Sequence, residues 1–279
     1  MRNAIARKSV PLPRPGTTWF STNRGKAEAE RFFLLYSPVW MALMAVMMIT
    51  GWAESSSDSW LLIHSLLVAL PLVMIPLWQH YRRFGILEWQ SVRSTYWFKA
   101  NLYIALFSFF GNYFGTFYFF DMLGMVYQFP SAETTLESAL LSQGDNRVPL
   151  IMYFYTHAYF MTYHVTATLV IRRLGVHQVL WLFLSASFMV GYCWAWIETA
   201  AMANPLMANS FYYENRSAML TYGSAIYATY FIASFPIFFA IDESSQKPWT
   251  LKAVCAGALS ASMLTFYLLD FTMWAIGRL

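Results

Sequence analysis

Charged residues are scarce in this sequence. Asp, Glu, Lys and Arg make up only 11% of its 279 residues, whereas a soluble domain has roughly 25%. Hydrophobic residues make up 58%, and they come in runs of about 20, the length that spans the roughly 30 Å hydrocarbon core of a bilayer. The net charge of +4 does not indicate a nucleic-acid partner, because the charges lie between these runs. We therefore expect an integral membrane protein.

The marks of several functional classes are also missing. The two cysteines, Cys193 and Cys255, lie in apolar runs, which argues against a disulfide or a metal site. The five histidines form no cluster like that of membrane di-iron desaturases and hydroxylases. The sequence has no Gly-rich phosphate loop, no Gly-x-Ser-x-Gly elbow and no lysine in the middle of its last apolar run to bind retinal. We therefore expect no cofactor and no metal, which leaves proton chemistry on an apolar ligand.

The apolar runs predict about seven transmembrane helices, because lipid cannot satisfy an exposed backbone. The fold class expected is an all-α, polytopic membrane helical bundle with a cytosolic N-terminus. Residues 1–18 are basic, rich in proline and without the apolar core of a signal peptide, so they are expected to form a disordered tail. A single transmembrane domain is expected over 19–279. The predicted spans are 32–52, 60–79, 98–120, 149–171, 177–203, 217–240 and 250–275.

Lysine and arginine are distributed unevenly between the connectors of these spans. With a cytosolic N-terminus, every lysine and arginine except Arg147, Arg216 and Arg278 falls on the cytosolic side, as the positive-inside rule requires. The longest connector, 121–148, then faces the lumen or periplasm, and we expect it to cap that side. No internal repeat stands out, which argues against a transporter built from inverted repeats.

Two histidines lie inside the fourth predicted span, where ionisable groups are costly and usually functional. His157 and His164 are seven residues apart, so their imidazoles lie on one helical face. Tyr153 and Phe160 fall on the same stripe. Histidines hydrogen-bonded inside a bundle would give the same pattern, but two on one stripe favour a function.

Carboxylates near or inside the spans are the second set of candidates. Glu198 lies in the fifth span, one turn after Trp194. At 1.5 Å per residue it lies roughly 9 Å inside one face of the membrane, and His157 lies roughly 12 Å inside the same face. The two side chains are therefore expected at similar depth, where they can exchange a proton; a structural ion pair between helices is the alternative. Glu30, before the first span, is expected to satisfy only Arg31 or the membrane interface.

The third predicted span carries a stripe of polar residues. Asn101, Ser108 and Asn112 share one face, and side chains of this kind commonly join membrane helices. Asn112 and Tyr113 lie near mid-membrane, within reach of a ligand, and Asp121 lies at the far end of the span. Aromatic residues make up 19% of the chain; a cavity lined by them would suit a flat apolar ligand and stabilise a carbocation, although ordinary packing is the alternative.

Many short runs, in one order from about Trp19 to about Asp270, resemble the cycloeucalenol cycloisomerase family, the cyclopropyl sterol isomerases of plants. Together they are specific, although each alone is weak. The runs are YWFKANL at 96–102, GNYF at 111–114, FPS at 129–131, THA at 156–158, YHV at 163–165, RRL at 172–174, ET at 198–199, AN at 203–204, YYE at 212–214, RSAM at 216–219, SFP at 234–236 and F at 239 with DE at 242–243.

The resemblance implies a transmembrane isomerase domain that opens the 9,19-cyclopropane ring of a cycloeucalenol-type sterol. The product is an obtusifoliol-type Δ8 sterol, and no cofactor is needed. An acid protonates the bridging methylene, a tertiary cation develops at the ring-fusion carbon, and a base removes the neighbouring proton. The expected partners are a cyclopropyl sterol and membrane lipid, with no nucleic acid. The resemblance also implies the endoplasmic reticulum membrane in a eukaryote and the cytoplasmic membrane in a bacterium.

A cyclopropane is a very weak base, so the acid must be strong, well placed and shielded from water, as a buried protonated carboxyl is. We expect Glu198 to be the acid and His157 or His164 to poise it or to take the second proton, although these roles are interchangeable. The residues expected to contact the substrate are Asn112, Tyr113, Trp194, Tyr153, Phe160 and Asp121.

Three other functions are compatible with the sequence. The first is a sterol double-bond isomerase like the emopamil-binding protein family, which uses similar acid–base chemistry. The second is a sterol-binding or sterol-transporting membrane protein without catalysis. The third, a seven-helix receptor, is the weakest, because the chain lacks receptor-like disulfide loops.

Overall fold

A computed structural model describes residue 16, residues 18–142 and residues 146–279 of the chain. These residues are mostly helical, and two short strands pair within them. The predicted disordered tail over 1–18 lies outside the described residues apart from residues 16 and 18, so it stays a prediction.

The helices fall close to the predicted spans, but several of them are broken. Two π-helical turns, Gly111–Gly115 and Met219–Gly223, interrupt longer helical runs, and the strands are β1 (Met125–Tyr127) and β2 (Phe211–Tyr213). The helices are α1 (Arg24–Ile49), α2 (Trp52–Ser55), α3 (Asp58–Ala69), α4 (Pro71–Phe84), α5 (Trp89–Ser94), α6 (Tyr96–Phe110), α7 (Thr116–Leu123), α8 (Leu150–Leu174), α9 (Leu180–Met202), α10 (Arg216–Ala218), α11 (Ser224–Tyr227), α12 (Thr229–Ala240) and α13 (Leu251–Ile276).

Polar caps and a proline explain where several helices begin. The side chains of Ser57, Thr95 and Thr250 accept hydrogen bonds from backbone N–H groups in the first turns of α3, α6 and α13; without these caps the N–H groups would lack partners. Pro71 has no N–H to continue α3, so it starts α4 instead. The two helices consequently meet at an angle of 47°.

Four helical runs in the described residues are long and apolar enough to cross a membrane. They are Arg24–Ile49, Leu180–Met202, Arg216–Ala240 and Leu251–Ile276, and the bent pair α3–α4 makes five if it counts as one span. The predicted number of seven is therefore not reached by length and hydropathy. The other two predicted ranges coincide with α6–α7 and with α8.

Helix α8 is the centre of the bundle. It packs against α1, α3, α6, α9 and α12, and most of its residues are buried. Helix α9 instead exposes Leu180 and Trp181, and α13 exposes Trp274. A helix surrounded by other helices has no need of a lipid-facing apolar surface, which explains why α8 is more polar than α3, α6, α9 and α12.

A short antiparallel ribbon joins two connectors at one end of the bundle. In β1 and β2, Met125 pairs with Tyr213, Val126 with Tyr212 and Tyr127 with Phe211. The sequence did not predict this ribbon, because each strand has only three residues and no alternating run marks it. The ribbon links the predicted capping connector to the segment after α9.

A buried ionic network ties the helices together at the opposite end, where the basic residues are concentrated. Arg172 donates to Glu30 Oε1 and to Glu243 Oε1, both at 2.7 Å. Lys26 lies 3.0 Å from Glu243 Oε2 and donates to the carbonyls of Phe239 and Ile241. The expectation that Glu30 satisfies only Arg31 or the interface was wrong, because the bundle brings Arg172 of α8 against α1.

Opposing effects set the proton affinity of Glu243, which lies in the connector after α12. Burial alone would raise the pKa of this carboxyl, but the hydrogen bond from Arg172 and the positive charge of Lys26 outweigh burial and lower the pKa to about 2. A second buried pair completes the network: Lys99 donates to Asp242 Oδ2 at 2.7 Å. These contacts hold α1, α6, α8 and the end of α12 in fixed register.

Candidate active site

A cavity lies between α1, α8, α9 and the ribbon β1–β2. Its wall is mostly apolar and aromatic. Methionine side chains are flexible and polarizable, so they adapt to an irregular ligand surface. Six of them line the cavity: Met44, Met47, Met125, Met152, Met202 and Met207. Such a wall suits a large hydrocarbon ligand.

The π turn Gly111–Gly115 forms part of the cavity wall. Such turns insert an extra residue into a helix and occur frequently at functional sites. This one presents Asn112 to the cavity. A Cβ atom at position 115 would collide with the hydroxyl of Tyr230, which also lines the cavity, so a larger residue there would displace the Tyr230 ring.

Glu198 on α9 brings a carboxyl group to the cavity. Its Oε2 atom accepts hydrogen bonds from the hydroxyls of Tyr163 on α8 and Tyr227 on α11, each at 2.9 Å. The ring of Tyr163 stacks on Trp194, with the centroids 4.5 Å apart. Among the residues that the structure describes, no lysine, arginine or histidine forms an ion pair with Glu198. An interhelical ion pair therefore does not explain this carboxyl.

The two predicted histidines lie outside the cavity. His157 Nε2 is 2.9 Å from Asn101 Oδ1, and the ring borders a shallow groove between α3, α6 and α8. His164 is fully buried; its Nδ1 is 2.7 Å from the Phe160 carbonyl and its Nε2 is 2.9 Å from Ser234 Oγ. The structure therefore does not bring either imidazole to Glu198, because their stripe packs against α6 and α12.

Two of the predicted substrate contacts do line the cavity. Phe160 contributes its ring, and Asn112 contributes its amide. Asn112 Nδ2 donates to the Ser108 carbonyl at 2.8 Å, and Thr156 Oγ1 lies 3.4 Å from Asn112 Oδ1. One N–H of this amide and much of the capacity of its oxygen remain for a ligand.

The other four predicted contacts are not among the residues that line the cavity. Trp194 lies behind the ring of Tyr163 and supports it. Tyr113 stacks on Phe109, and Tyr153 borders the same groove as His157. Asp121 is 68% exposed and lies 3.8 Å from Arg278. Of these four, only Trp194 contacts a side chain that itself contacts Glu198, namely Tyr163.

Several residues in or beside the cavity had not been identified as site residues from the sequence. Tyr227, which lines the cavity, and Tyr163, which donates to Glu198, were visible as aromatic residues within spans, but packing was the simpler explanation for each. The tyrosines within the spans were a usable signal, because a buried carboxyl without a cationic partner needs hydroxyl or amide donors. Tyr127 and Tyr213 come from the unpredicted ribbon, which no sequence pattern placed over Glu198.

The described residues contain no group of three or more His, Cys, Asp or Glu side chains positioned to hold a metal ion. The side chains of the cavity instead offer one carboxyl, several hydroxyls, one amide and many aromatic faces. This arrangement can donate a proton to an apolar ligand and surround a positive charge with aromatic rings.

Comparison with known proteins completes the assignment of the chain. No protein-family model matches it, and no solved structure matches it. It is 37% identical over 269 residues to a curated protein of Arabidopsis thaliana, cycloeucalenol cycloisomerase, and the match covers 92% of this chain and 88% of that protein. The resemblance inferred from the short runs is thereby confirmed, and the chain belongs to the cycloeucalenol cycloisomerase family of enzymes.

Proposed function

We propose that this protein opens the cyclopropane ring of a cycloeucalenol-type sterol and releases an obtusifoliol-type Δ8 sterol. The observation that carries the proposal is a single carboxyl, Glu198, on the apolar and aromatic wall of a cavity. A ligand pocket is usually lined in this way, by hydrophobic and aromatic side chains with a few placed polar groups. The similarity to cycloeucalenol cycloisomerase supports the substrate class.

Glu198 is the proton donor in this proposal. The ring opens when the carboxyl protonates the bridging methylene, and the donor must therefore contact the sterol away from bulk water. Its position on the cavity wall supports this role, as does the lack of a basic partner among the described residues. The two tyrosine hydroxyls on Oε2 are already in place to stabilise the negative charge that forms when the proton leaves.

Aromatic rings stabilise the cation that forms next. Tyr127, Tyr159, Phe160, Tyr213 and Tyr230 line the cavity around Glu198. The face of an aromatic ring attracts a cation by about 0.5–2 kcal/mol, with the larger values where water is excluded. Several such rings together lower the energy of a tertiary carbocation by a few kcal/mol. Asn112 is well placed to orient the sterol through its free amide groups.

The bundle crosses the membrane seven times in this proposal, as a single domain over 19–279 with a cytosolic N-terminus. Helix α8 has 25 residues, so at 1.5 Å per residue it is about 38 Å long, enough for a bilayer. Its polar side chains face other helices rather than lipid. The buried ionic network then lies at the cytosolic end and the ribbon at the opposite end, in the endoplasmic reticulum membrane of a eukaryote or the cytoplasmic membrane of a bacterium.

The decisive experiment is incubation of the purified protein with cycloeucalenol, followed by mass spectrometry and NMR of the extracted sterol. We expect a product of unchanged mass that has lost its cyclopropane signals and gained a ring double bond. Action only on a Δ8 sterol without a cyclopropane would instead indicate a double-bond isomerase. Saturable binding of cycloeucalenol without conversion would indicate a sterol-binding protein.

Glu198→Gln is the matched test of the proton donor, because glutamine preserves the shape of the side chain but has no acidic proton. We expect kcat to fall by about 10²–10⁴-fold, the usual contribution of a positioned acid or base. The variant must elute and melt like the wild type. Turnover at the wild-type rate by a folded Glu198→Gln protein would refute the assignment.

A further inference from the structure

The proposed reaction needs two proton transfers, one to the methylene and one from the neighbouring ring carbon. Glu198 is the only Asp, Glu, His, Lys or Arg side chain that lines the cavity in the described part of the chain. The other proton-bearing groups on its wall are neutral hydroxyls and the Asn112 amide, which are much weaker acids than a carboxyl. The need for a second transfer, and with it the role assigned to Glu198 below, rests on the proposed function.

The histidines do not supply the second group. Both ring nitrogens of His164 have partners, at the Phe160 carbonyl and at Ser234 Oγ. His157 Nε2 is held by Asn101, and its ring lies on the outer groove. Neither imidazole lies among the cavity residues, so a sterol bound beside Glu198 does not reach them.

The two oxygens of Glu198 are not equivalent. Tyr163 and Tyr227 both donate to Oε2, which uses the two favourable acceptor directions of that atom. Oε1 has no hydrogen-bond partner among the described residues. The acidic proton is accordingly carried by Oε1, and after its transfer the carboxylate that remains is the strongest base in the cavity.

We propose that Glu198 alone performs both proton transfers, giving its proton to the sterol and then taking one back. In the first step the O–H bond at Oε1 breaks, and the electron pair of one cyclopropane C–C bond forms the new C–H bond of the methyl group. The ring-fusion carbon becomes cationic. In the second step the neighbouring C–H bond breaks, its electron pair forms the ring double bond, and the proton returns to Glu198. Atoms, charge and the protonation of the enzyme all balance.

One carboxyl can reach both positions if they lie on the same face of the sterol. The methylene and the departing hydrogen are attached to carbons that flank the same cationic carbon, and in a 9β,19-cyclosterol with an 8β hydrogen both lie on one face. The step between the two transfers then needs no large movement of either partner. Tyr163 and Tyr227 are positioning residues, since they keep Oε1 directed toward the ligand by holding Oε2.

The test compares Glu198 with the two histidines and with four tyrosines of the cavity wall. The variants are Glu198→Gln, Glu198→Asp, His157→Ala, His164→Ala, Tyr127→Phe, Tyr159→Phe, Tyr213→Phe and Tyr230→Phe, each purified and assayed with cycloeucalenol. We expect Glu198→Gln to lose at least 100-fold in kcat while it still retains unreacted cycloeucalenol. Glu198→Asp is expected to keep measurable turnover, because it preserves both proton functions and only misplaces them. Each Tyr→Phe variant keeps its ring and is expected to lose much less kcat than Glu198→Gln.

The outcomes separate this inference from the proposed function. No conversion by the wild-type protein contradicts the function itself. Full activity of Glu198→Gln contradicts the proton donor. The inference of a single carboxyl is overturned, while the proposed function stands, if the wild type converts cycloeucalenol but a second residue proves equally necessary. Replacing that residue would then lower kcat as much as Glu198→Gln does, in a variant that folds and binds cycloeucalenol. Loss confined to Glu198, with rescue by aspartate, supports it.

Discussion

Removing the hydroxyl of Tyr227 tests whether the hydrogen bonds to Glu198 act during the reaction. Tyr227→Phe deletes one oxygen atom and keeps the ring, so the cavity retains its shape. In the resting protein this hydroxyl donates to Glu198 Oε2 at 2.9 Å. Once Glu198 has given up its proton, the same bond becomes a charge-assisted one, which is shorter and stronger. The bond therefore stabilises the transition state more than the ground state.

The size of the effect depends on the strength of such a bond. A hydrogen bond to a charged group contributes about 1.5–3 kcal/mol, compared with about 1 kcal/mol for a neutral one. The difference corresponds to a decrease in kcat of about 2- to 30-fold, since about 1.4 kcal/mol equals a factor of ten. KM is expected to change little, because the uncharged sterol is bound before the carboxylate forms. Tyr163→Phe is expected to behave in the same way.

The two hydroxyls share one oxygen, so their effects are not independent. The loss of kcat in the double variant of Tyr163 and Tyr227 is expected to differ from the product of the two single losses. Tyr103→Phe is the matched control: it removes a buried hydroxyl that donates to the Ser234 carbonyl and has no contact with Glu198. A loss seen mainly in KM, or an equal loss of kcat in Tyr103→Phe, would refute the reasoning.

Three further predictions concern the frame that holds the site. Glu30→Gln leaves Arg172 partly unpaired in a buried position, and we expect a loss of about 3–5 kcal/mol in the free energy of unfolding, measured in detergent. The lowered pKa of Glu243 stabilises the fold above its unfolded value of 4.5, and this contribution, about 3 kcal/mol, is lost as pH falls through about 2. Thermal melts at constant ionic strength should show this loss in the wild type and a weaker one in Glu243→Gln. Gly115→Ala should lower Tm, because the new Cβ atom collides with the Tyr230 hydroxyl. Gly111→Ala should not lower Tm, because its Cβ atom would lie at an ordinary contact distance from the same ring. Equal Tm values of the two variants would contradict the close packing at position 115.

The family and the positions of the main helices could be predicted from the sequence. Long apolar runs are local features, so they located the helices to within several residues even where π turns and prolines break them. The number of spans was less certain, because α8 carries polar residues that the bundle buries. A hydropathy pattern assumes that a transmembrane helix faces lipid, and α8 faces other helices.

The candidate site was only partly visible in the sequence. Glu198 and Asn112 stand out because carboxyl and amide groups are rare inside apolar runs. The pairing of Glu198 with histidine was a reasonable expectation from depth alone, but depth does not fix the direction of a side chain around the helix axis. Tyr163 and His164 are adjacent in sequence, yet the first donates to Glu198 and the second pairs with Ser234.

Hydrophobic runs and family motifs are local features, and they were enough to identify this chain as a helical membrane protein of the cycloeucalenol cycloisomerase family. The folded bundle was needed to show which hydroxyls contact Glu198, that the ribbon β1–β2 covers the cavity, and that both imidazoles lie elsewhere. These contacts join residues far apart in sequence, and they depend on how each helix is rotated against its neighbours. That rotation is set by packing of the whole bundle, which no local pattern of residues records.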